Sequence, residues 1–168
     1  MLPEMKRFRP VLEAFDLDLI TPTVHERLSE EEILVHAGAF DGVICGDDRF
    51  TRRVIEACLP RLKVISKWGT GIDSIDRAAA NELGVAVCNT PNAFTVPVSE
   101  SVIGYMLVFS RHLTRLDAEV KSGAWEKIVG RTLAESTMGV VGVGHVGKAV
   151  IRRARGFGMK ILGNDIIE

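Results

Sequence analysis

The sequence has little that would tie it to an oxidising compartment, a membrane or a nucleic acid. It holds three cysteines, with no Cys-x-x-Cys pair and no spacing typical of a metal site. We expect Cys45, Cys58 and Cys88 to be buried, reduced thiols of a cytoplasmic protein, because free cysteine is among the most buried residue types. The longest apolar run, residues 102–109, is too short to cross a bilayer, and no secretory signal precedes it. A net charge of -1 gives no basic excess for nucleic acid.

What the first half does contain is short apolar runs that alternate with helical patterns. The runs are continuous and the connections between them are short, which is typical of a parallel sheet with helices on both faces. Ser29 followed by Glu32 predicts a capping box at the start of one helix. The predicted strands lie at 17–20, 43–45, 62–66 and 85–88, and the predicted helices lie at 3–15, 29–36, 51–59 and 76–83.

The pattern changes near residue 92, where a loop containing two prolines leads into a long helical stretch. Residues 97–121 predict one continuous helix, the longest in the chain. We therefore expect two lobes, residues 1–94 and residues 95–168, with this helix near the start of the second. The elements predicted after it are a strand at 137–141, a helix at 145–157 and a strand at 159–162.

Three glycines with G-x-G-x-x-G spacing follow the strand at 137–141. They are Gly142, Gly144 and Gly147. The pattern is specific when it follows a strand, opens a helix and precedes an acid about 20 residues later. All three conditions hold, since Asp165 lies 21 residues after Gly144. The motif predicts a dinucleotide site, and a glycine-rich turn without a ligand is the alternative.

Each residue of this motif has a physical role. Gly142 makes the tight turn, Gly144 lets a pyrophosphate approach the backbone, and Gly147 lets the helix pack closely on the strand. The N–H groups that open the helix favour the phosphate charge. Asp165 can accept hydrogen bonds from the adenosine ribose and would repel a 2′-phosphate, so NAD is the predicted cofactor. His145 would flank the pyrophosphate, and we expect no catalytic role for it.

A second glycine loop follows the strand at 62–66 and consists of Trp68, Gly69, Thr70 and Gly71. Such a turn exposes backbone N–H groups at the carboxyl end of a parallel sheet, where ligands of α/β proteins bind. A small carboxylate fits a loop of this kind. A plain strand-to-helix turn remains the alternative.

Together these loops resemble the D-isomer-specific 2-hydroxyacid dehydrogenase family, in particular its phosphoglycerate dehydrogenase-like members. The resemblance extends from about residue 62 to the end, and the earlier part matches loosely through DGVICGDDRF. It is specific because several linked motifs occur in the family's order. The matching stretches are KWGTGIDSID, VCNTPNAFTVPVSESVIGYMLVFSR, SGAWEK and VGVGHVGKAVIRRARGFGMKILGND.

The resemblance implies a flavodoxin-like substrate lobe followed by the start of a Rossmann NAD-binding lobe. It implies an NAD-dependent oxidoreductase of small D-2-hydroxy acids or 2-oxo acids. The backbone N–H groups of residues 68–71 would hold the substrate carboxylate, and Thr70 would also touch the cofactor. His145 and Val146 would contact the pyrophosphate. The family's members further imply a homodimer near the helix at 97–121.

The family's catalytic residues are expected outside this sequence. Its arginine, glutamate and histidine come after the ribose-binding acid, and only Ile166, Ile167 and Glu168 follow Asp165 here. We therefore expect an N-terminal portion of a dehydrogenase that is inactive alone and binds NAD weakly at most. The family also has a strand before its first helix, which this sequence lacks. A non-catalytic NAD-binding or dimerisation module of the same fold is the alternative.

Overall fold

The computed structural model describes residues 5–166 and shows an α/β fold with parallel sheets. The chain divides into two compact units, Met1–Pro91 (unit 1) and Asn92–Glu168 (unit 2). Within the described residues, no helix is long and apolar enough to cross a membrane. Each unit has its own sheet and its own apolar core.

Unit 1 is built around a three-stranded parallel sheet in the order β1-β2-β3. The strands are β1 (Gly42–Cys45), β2 (Val64–Lys67) and β3 (Ala86–Cys88), and the helices are α1 (Met5–Glu13), α2 (Glu30–Leu34), α3 (Arg52–Ala57) and α4 (Arg77–Glu82). The predicted start of the first helix at residue 3 lies outside the described residues. The capping box is confirmed, because Ser29 accepts from the Glu32 N–H and the Glu32 carboxylate accepts from the Ser29 N–H.

The core of unit 1 forms where the helices cover the central strand β2. Ile65 in β2 is fully buried. Cys45 and Cys58 are buried as predicted, but the expectation for Cys88 is wrong, since its side chain is exposed. Cys88 ends β3, which lies at the edge of the sheet with its first and last residues exposed. The buried residues of this core are Ile33, Cys45, Phe50, Val54, Ile55, Cys58, Leu62, Ile65, Ile75, Ala79, Ala80 and Val85.

The strand predicted at residues 17–20 is also wrong. This segment has no regular secondary structure, and Leu17 and Ile20 are exposed. A strand is stabilised by a neighbouring strand that pairs with its backbone. Among the described residues, β1, β2 and β3 pair with one another and none of them pairs with this segment.

Unit 2 pairs two parallel strands and packs two helices against each other. Its elements are α5 (Thr95–Ser110), α6 (Leu113–Lys121), a short 3-10 helix (Leu133–Glu135), β4 (Thr137–Val141), α7 (His145–Gly156) and β5 (Lys160–Asn164). The register of β4 and β5 runs from Thr137 opposite Lys160 to Val141 opposite Asn164. The buried residues of its core are Ile103, Leu133, Met138, Val150, Ala154 and Met159.

The single helix predicted at 97–121 is divided into α5 and α6. His112 has a positive φ of 54°, which interrupts the regular ladder of helical hydrogen bonds. The His112 N–H bonds to the Phe109 carbonyl at the end of α5, and α6 starts one residue later. The first helix begins at Thr95, and Pro97 is tolerated because it lies in the first turn, where its missing N–H has no helical partner to lose.

Candidate ligand-binding loops

Residues 68–71 (loop 68–71) follow β2 and are anchored through their acceptor groups. The Gly69 carbonyl accepts from the Thr90 N–H at 3.0 Å, and the Thr70 carbonyl accepts from the Asn89 side-chain amide at 2.8 Å. The Thr70 hydroxyl donates to the Thr90 carbonyl at 3.2 Å. These three bonds tie the loop to the chain just after β3.

The backbone N–H groups of loop 68–71 differ from its carbonyl groups in their hydrogen bonding. The Trp68 N–H donates to the Cys45 carbonyl at 2.8 Å, so it is already used at the end of β1. Within the described residues, the N–H groups of Gly69, Thr70 and Gly71 have no acceptor. The loop is held in place through its carbonyl groups, and its three consecutive N–H donors are suited to bind an anion such as a carboxylate.

Lys67, the last residue of β2, supports this loop from inside unit 1. Its side chain is 5% exposed, and its ammonium donates to the Gly46 carbonyl and to Asp47, whose carboxylate oxygen lies 2.6 Å away. The hydrogen bond from Lys67 lowers the pKa of Asp47 below its usual range. A Cβ at Gly69 would lie 3.2 Å from Cε of Lys67, so the absence of a side chain at Gly69 leaves space for the lysine side chain. Sequence analysis missed the contact between Lys67 and Asp47. The signal that could have indicated it is a lysine at the end of β2 and an acid shortly after β1, the strand parallel to it.

Trp68 adds an aromatic side chain to the same loop. The residue is 41% exposed, and its ring meets Phe8 of α1 edge to face, with the ring centroids 5.5 Å apart. Phe8 is partly buried, although α1 has no fully buried residue. Loop 68–71 therefore combines unused backbone donors with an aromatic surface at its first residue.

The second loop, residues 142–147 (loop 142–147), joins β4 to α7 and depends on its glycines. Gly142 has a positive φ of 89°, which favours glycine, and its N–H donates to the Asn164 carbonyl at 2.8 Å. A Cβ at Gly147 would lie 2.1 Å from the Gly142 carbonyl oxygen, an impossible approach. A Cβ at Gly144 would meet no protein atom within 4 Å. The turn and the close packing thus need Gly142 and Gly147, and open space lies beside Gly144.

Backbone donors also converge at loop 142–147. The first helical bond of α7 runs from the Lys148 N–H to the Gly144 carbonyl, so the N–H groups of residues 145–147 have no helical partner. His145 and Val146 are exposed at this helix start. The partial positive charge of the twelve-residue helix α7 favours an anion there.

Asp165 lies beside this loop, one residue after β5. Its carboxylate accepts from the Val143 N–H inside the glycine motif, and its second oxygen accepts from the Ile166 N–H at 2.7 Å. A carboxylate is an acceptor of several hydrogen bonds, which is the chemistry that ribose hydroxyls need. The residues present therefore fit a dinucleotide: open space for the pyrophosphate, helix-start donors and an acid at the end of the next strand.

The described residues offer no metal centre and no activated thiol in unit 1's core. No group of three or more His, Cys, Asp or Glu side chains among them is placed to hold a metal ion. Burial raises the pKa of the Cys45 thiol to about 11, so this thiol stays protonated at neutral pH.

Comparison with known proteins agrees with this geometry. Residues 5–156 match the family model of the D-isomer specific 2-hydroxyacid dehydrogenase catalytic domain. The chloroplastic D-3-phosphoglycerate dehydrogenase 2 of Arabidopsis thaliana is 40% identical over 141 residues, which cover 82% of this chain and 23% of that protein. Hydroxypyruvate reductase of Thermotoga maritima is 38% identical over 143 residues, which cover 83% of this chain and 46% of that protein.

A solved structure shows the same fold. The NAD+-bound 3-phosphoglycerate dehydrogenase of Entamoeba histolytica superimposes with a TM-score of 0.77 at 30% identity, over 99% of this chain and 50% of that one. The chain therefore spans half or less of the length of these relatives.

Proposed function

This chain belongs to the D-isomer specific 2-hydroxyacid dehydrogenase family, and we propose that it is the N-terminal portion of an NAD-dependent oxidoreductase of small D-2-hydroxy acids or 2-oxo acids. In this proposal a flavodoxin-like substrate lobe, residues 1–94, contains unit 1, and residues 95–168 of unit 2 begin the Rossmann lobe. The observation that carries the proposal is that loops 68–71 and 142–147 both keep backbone donors unused.

The substrate carboxylate would bind the N–H groups of Gly69, Thr70 and Gly71. Trp68, whose own N–H is used by Cys45, would contribute its side chain instead. The Thr70 hydroxyl already donates to Thr90, so it would act on substrate or cofactor as an acceptor. These backbone contacts orient an acid without specifying the rest of its structure.

The cofactor would lie against loop 142–147. Its pyrophosphate would use the space beside Gly144 and the N–H groups of His145, Val146 and Gly147, and Asp165 would accept from the ribose. When bound, NAD supplies the hydride acceptor for the carbon that bears the substrate hydroxyl, and the hydroxyl proton leaves to a base. The arginine, glutamate and histidine implied for that chemistry are not within these 168 residues, so we expect the chain alone to bind ligands without turnover.

A non-catalytic NAD-binding or dimerisation module is the second candidate. Tyr105 and Phe109 of α5 and Val120 of α6 are exposed apolar side chains, and a homodimer through the segment 97–121 would cover such residues. Light scattering of the purified chain tests this candidate. A dimer that Phe109→Asp converts to a monomer would support it, and a concentration-independent monomer would contradict it.

The first experiment on the leading proposal is the intact mass of the native protein, purified from its source cells, followed by assays of NADH consumption with 2-oxo acids. We expect a mass above 18.4 kDa and NADH-dependent reduction. A native mass of 18.4 kDa without activity would favour the binding module. Fractionation of the same cells tests the predicted cytoplasmic location.

The cofactor site can be tested on the chain itself. Saturation-transfer NMR with NAD should show weak binding that Gly144→Ala abolishes, because the added methyl enters the space proposed for the pyrophosphate. Gly139→Ala is the matched control, since a Cβ at Gly139 in β4 also meets no protein atom within 4 Å. Equal NAD signals from both variants would contradict the assignment.

A further inference from the structure

The aromatic surface at loop 68–71 is positioned by two independent contacts. The Trp68 N–H is bonded to the Cys45 carbonyl, which fixes its backbone at the end of the sheet. Its ring meets Phe8 at 5.5 Å with an interplanar angle of 71°, the edge-to-face arrangement that aromatic pairs prefer. Trp68 as a residue is still 41% exposed, and it lies one residue before the three unused N–H donors. Trp68 and the three donors therefore belong to the same turn after β2.

Charged side chains of both signs lie near the loop, and Arg27 and Arg49 line a cavity together with Asp47 and Asp73. Lys67, the cation next to the loop in sequence, is buried and engaged by Asp47 and the Gly46 carbonyl. The Asp73 carboxylate lies 4.0 Å from the position of a Cβ on Gly71, and it adds negative charge on the other side of the loop. Arg7 is exposed, with its guanidinium 5.8 Å from the Phe8 ring centroid, and is the cation whose influence must be tested.

We propose that Trp68, supported by Phe8, is a specificity-determining residue that selects acids with an uncharged, apolar side chain over phosphorylated acids. The acid's carboxylate takes the N–H groups of Gly69, Thr70 and Gly71, and its side chain packs on the exposed part of the indole. This inference rests on the proposed function and names the substrate class of that same site.

The test uses the fluorescence of Trp68 in the 168-residue chain. The sequence has two tryptophans, and Trp125→Phe removes the other one, which is exposed, so that the signal reports Trp68 alone. The ligands are glycolate, D-lactate, D-2-hydroxyisocaproate and D-3-phosphoglycerate, none of which absorbs at the excitation wavelength. Each fully buried methylene strengthens binding about fourfold, so packing on one wall should make D-2-hydroxyisocaproate at least about tenfold tighter than glycolate.

Three variants test whether the aromatic surface formed by Trp68 and Phe8 sets the ligand preference. Phe8→Ala removes the supporting ring and should reduce the preference for D-2-hydroxyisocaproate over glycolate about threefold. Phe15→Ala is the matched control, because Phe15 is exposed in the same N-terminal region and has no aromatic partner among the described residues. Arg7→Ala should leave the order of the four ligands unchanged.

A second measurement does not depend on tryptophan emission. In saturation-transfer NMR, the methyl signals of D-2-hydroxyisocaproate should be strong with the parent chain and lost with Trp68→Ala, while circular dichroism confirms that this variant is folded. Glycolate binding, which uses the backbone donors, should persist in Trp68→Ala.

Four outcomes would overturn the inference. They are tighter binding of D-3-phosphoglycerate than of D-2-hydroxyisocaproate, equal binding of glycolate and D-2-hydroxyisocaproate, no response of Trp68 to any acid, and a ligand order that Arg7→Ala reverses. None of these readouts needs NAD or turnover. Selective binding without hydride transfer by the native protein would therefore contradict the proposed function alone, and turnover that prefers phosphorylated acids would contradict this inference alone.

Discussion

Units 1 and 2 both use parallel strands joined through helices, but they bury their strands to different extents. In unit 1, β2 has a strand on each side, and Ile65 in it is fully buried. In unit 2, β4 pairs with β5 on one side, and no other described strand pairs with it. The difference is clearest at the strand ends: Cys45, the last residue of β1, is 1% exposed, whereas Val141, the last residue of β4, is 90% exposed. β1 and β4 each pair with one strand, so the difference comes from what covers them: Cys45 belongs to the core cluster that includes residues of α2, α3 and α4.

The largest expected effect is on thiol reactivity at these two strand ends. Val141→Cys should react with iodoacetamide at pH 8 more than about 100-fold faster than Cys45, whose pKa of about 11 leaves little reactive thiolate. Mass spectrometry of the labelled peptides measures both rates in one sample. Exposed Cys88 is the internal standard for an accessible thiol. If the thiol at position 141 reacted with iodoacetamide as slowly as Cys45 does, the end of β4 would be covered in solution. That result would contradict the difference in burial between the two strand ends.

The next effect is on stability. Ile65→Ala should lower the free energy of unfolding of unit 1 by about 2–5 kcal/mol, because it removes a fully buried side chain from the central strand. Leu162→Ala, on an exposed residue of β5, should cost less than about 1 kcal/mol. Urea unfolding followed by circular dichroism gives the global change, and labelling of Cys58 gives the change in unit 1. Similar losses in both variants would contradict the difference drawn between the sheets.

In unit 2, α7 packs tightly against the turn after β4. Gly147→Ala should cost about 1–3 kcal/mol, because its methyl would collide with the Gly142 carbonyl oxygen. Hydrogen exchange of the β4 and α7 amides measures this loss. Gly156→Ala in the same helix is the control, since a Cβ there meets nothing within 4 Å and should be tolerated. Unchanged protection in Gly147→Ala would show that the turn can move apart without cost.

The smallest effect concerns the Lys67–Asp47 pair of unit 1 and depends on pH. The pKa of Asp47 is lowered in the folded protein by the hydrogen bond from Lys67. Its contribution to stability is therefore fully present above its unfolded pKa of about 3.9, and it is lost as pH falls through the lower folded value. The stability difference between the parent chain and Asp47→Asn should be measurable at pH 6 and should vanish at strongly acidic pH. The control is Asp73→Asn, because Asp73 is an exposed acid with no ion pair among the described residues. A stability difference between the parent chain and Asp47→Asn that grows on acidification would refute the pairing.

Several features could be predicted because neighbouring residues create them. The capping box needs only Ser29 and Glu32 three residues apart. The turn at Gly142 and the close approach at Gly147 are consequences of a strand that leads directly into a helix. These features depend on spacing along the chain, so a single sequence contains the information.

Other features could not be predicted because they depend on distant partners. Cys88 is as apolar as Cys45, and both end strands at the edges of the described sheet, but Cys45 belongs to the buried core of unit 1 and Cys88 does not. Residues 17–20 have strand-like composition without a strand to pair with. The helical pattern of 97–121 continues through His112, where the backbone nevertheless takes a left-handed conformation.

The candidate site also has some features that follow from local sequence and others that depend on tertiary contacts. The amino-acid pattern alone determined where the two glycine loops lie, because glycine spacing and strand-to-helix order are local properties. Tertiary structure alone decided which donors remain unused: Cys45 takes the N–H of Trp68, and Thr90 and Asn89 take the acceptors of the loop. It also placed Phe8 against Trp68 and Asp47 against Lys67, since residues 20 or more positions apart meet only when the strands and helices pack.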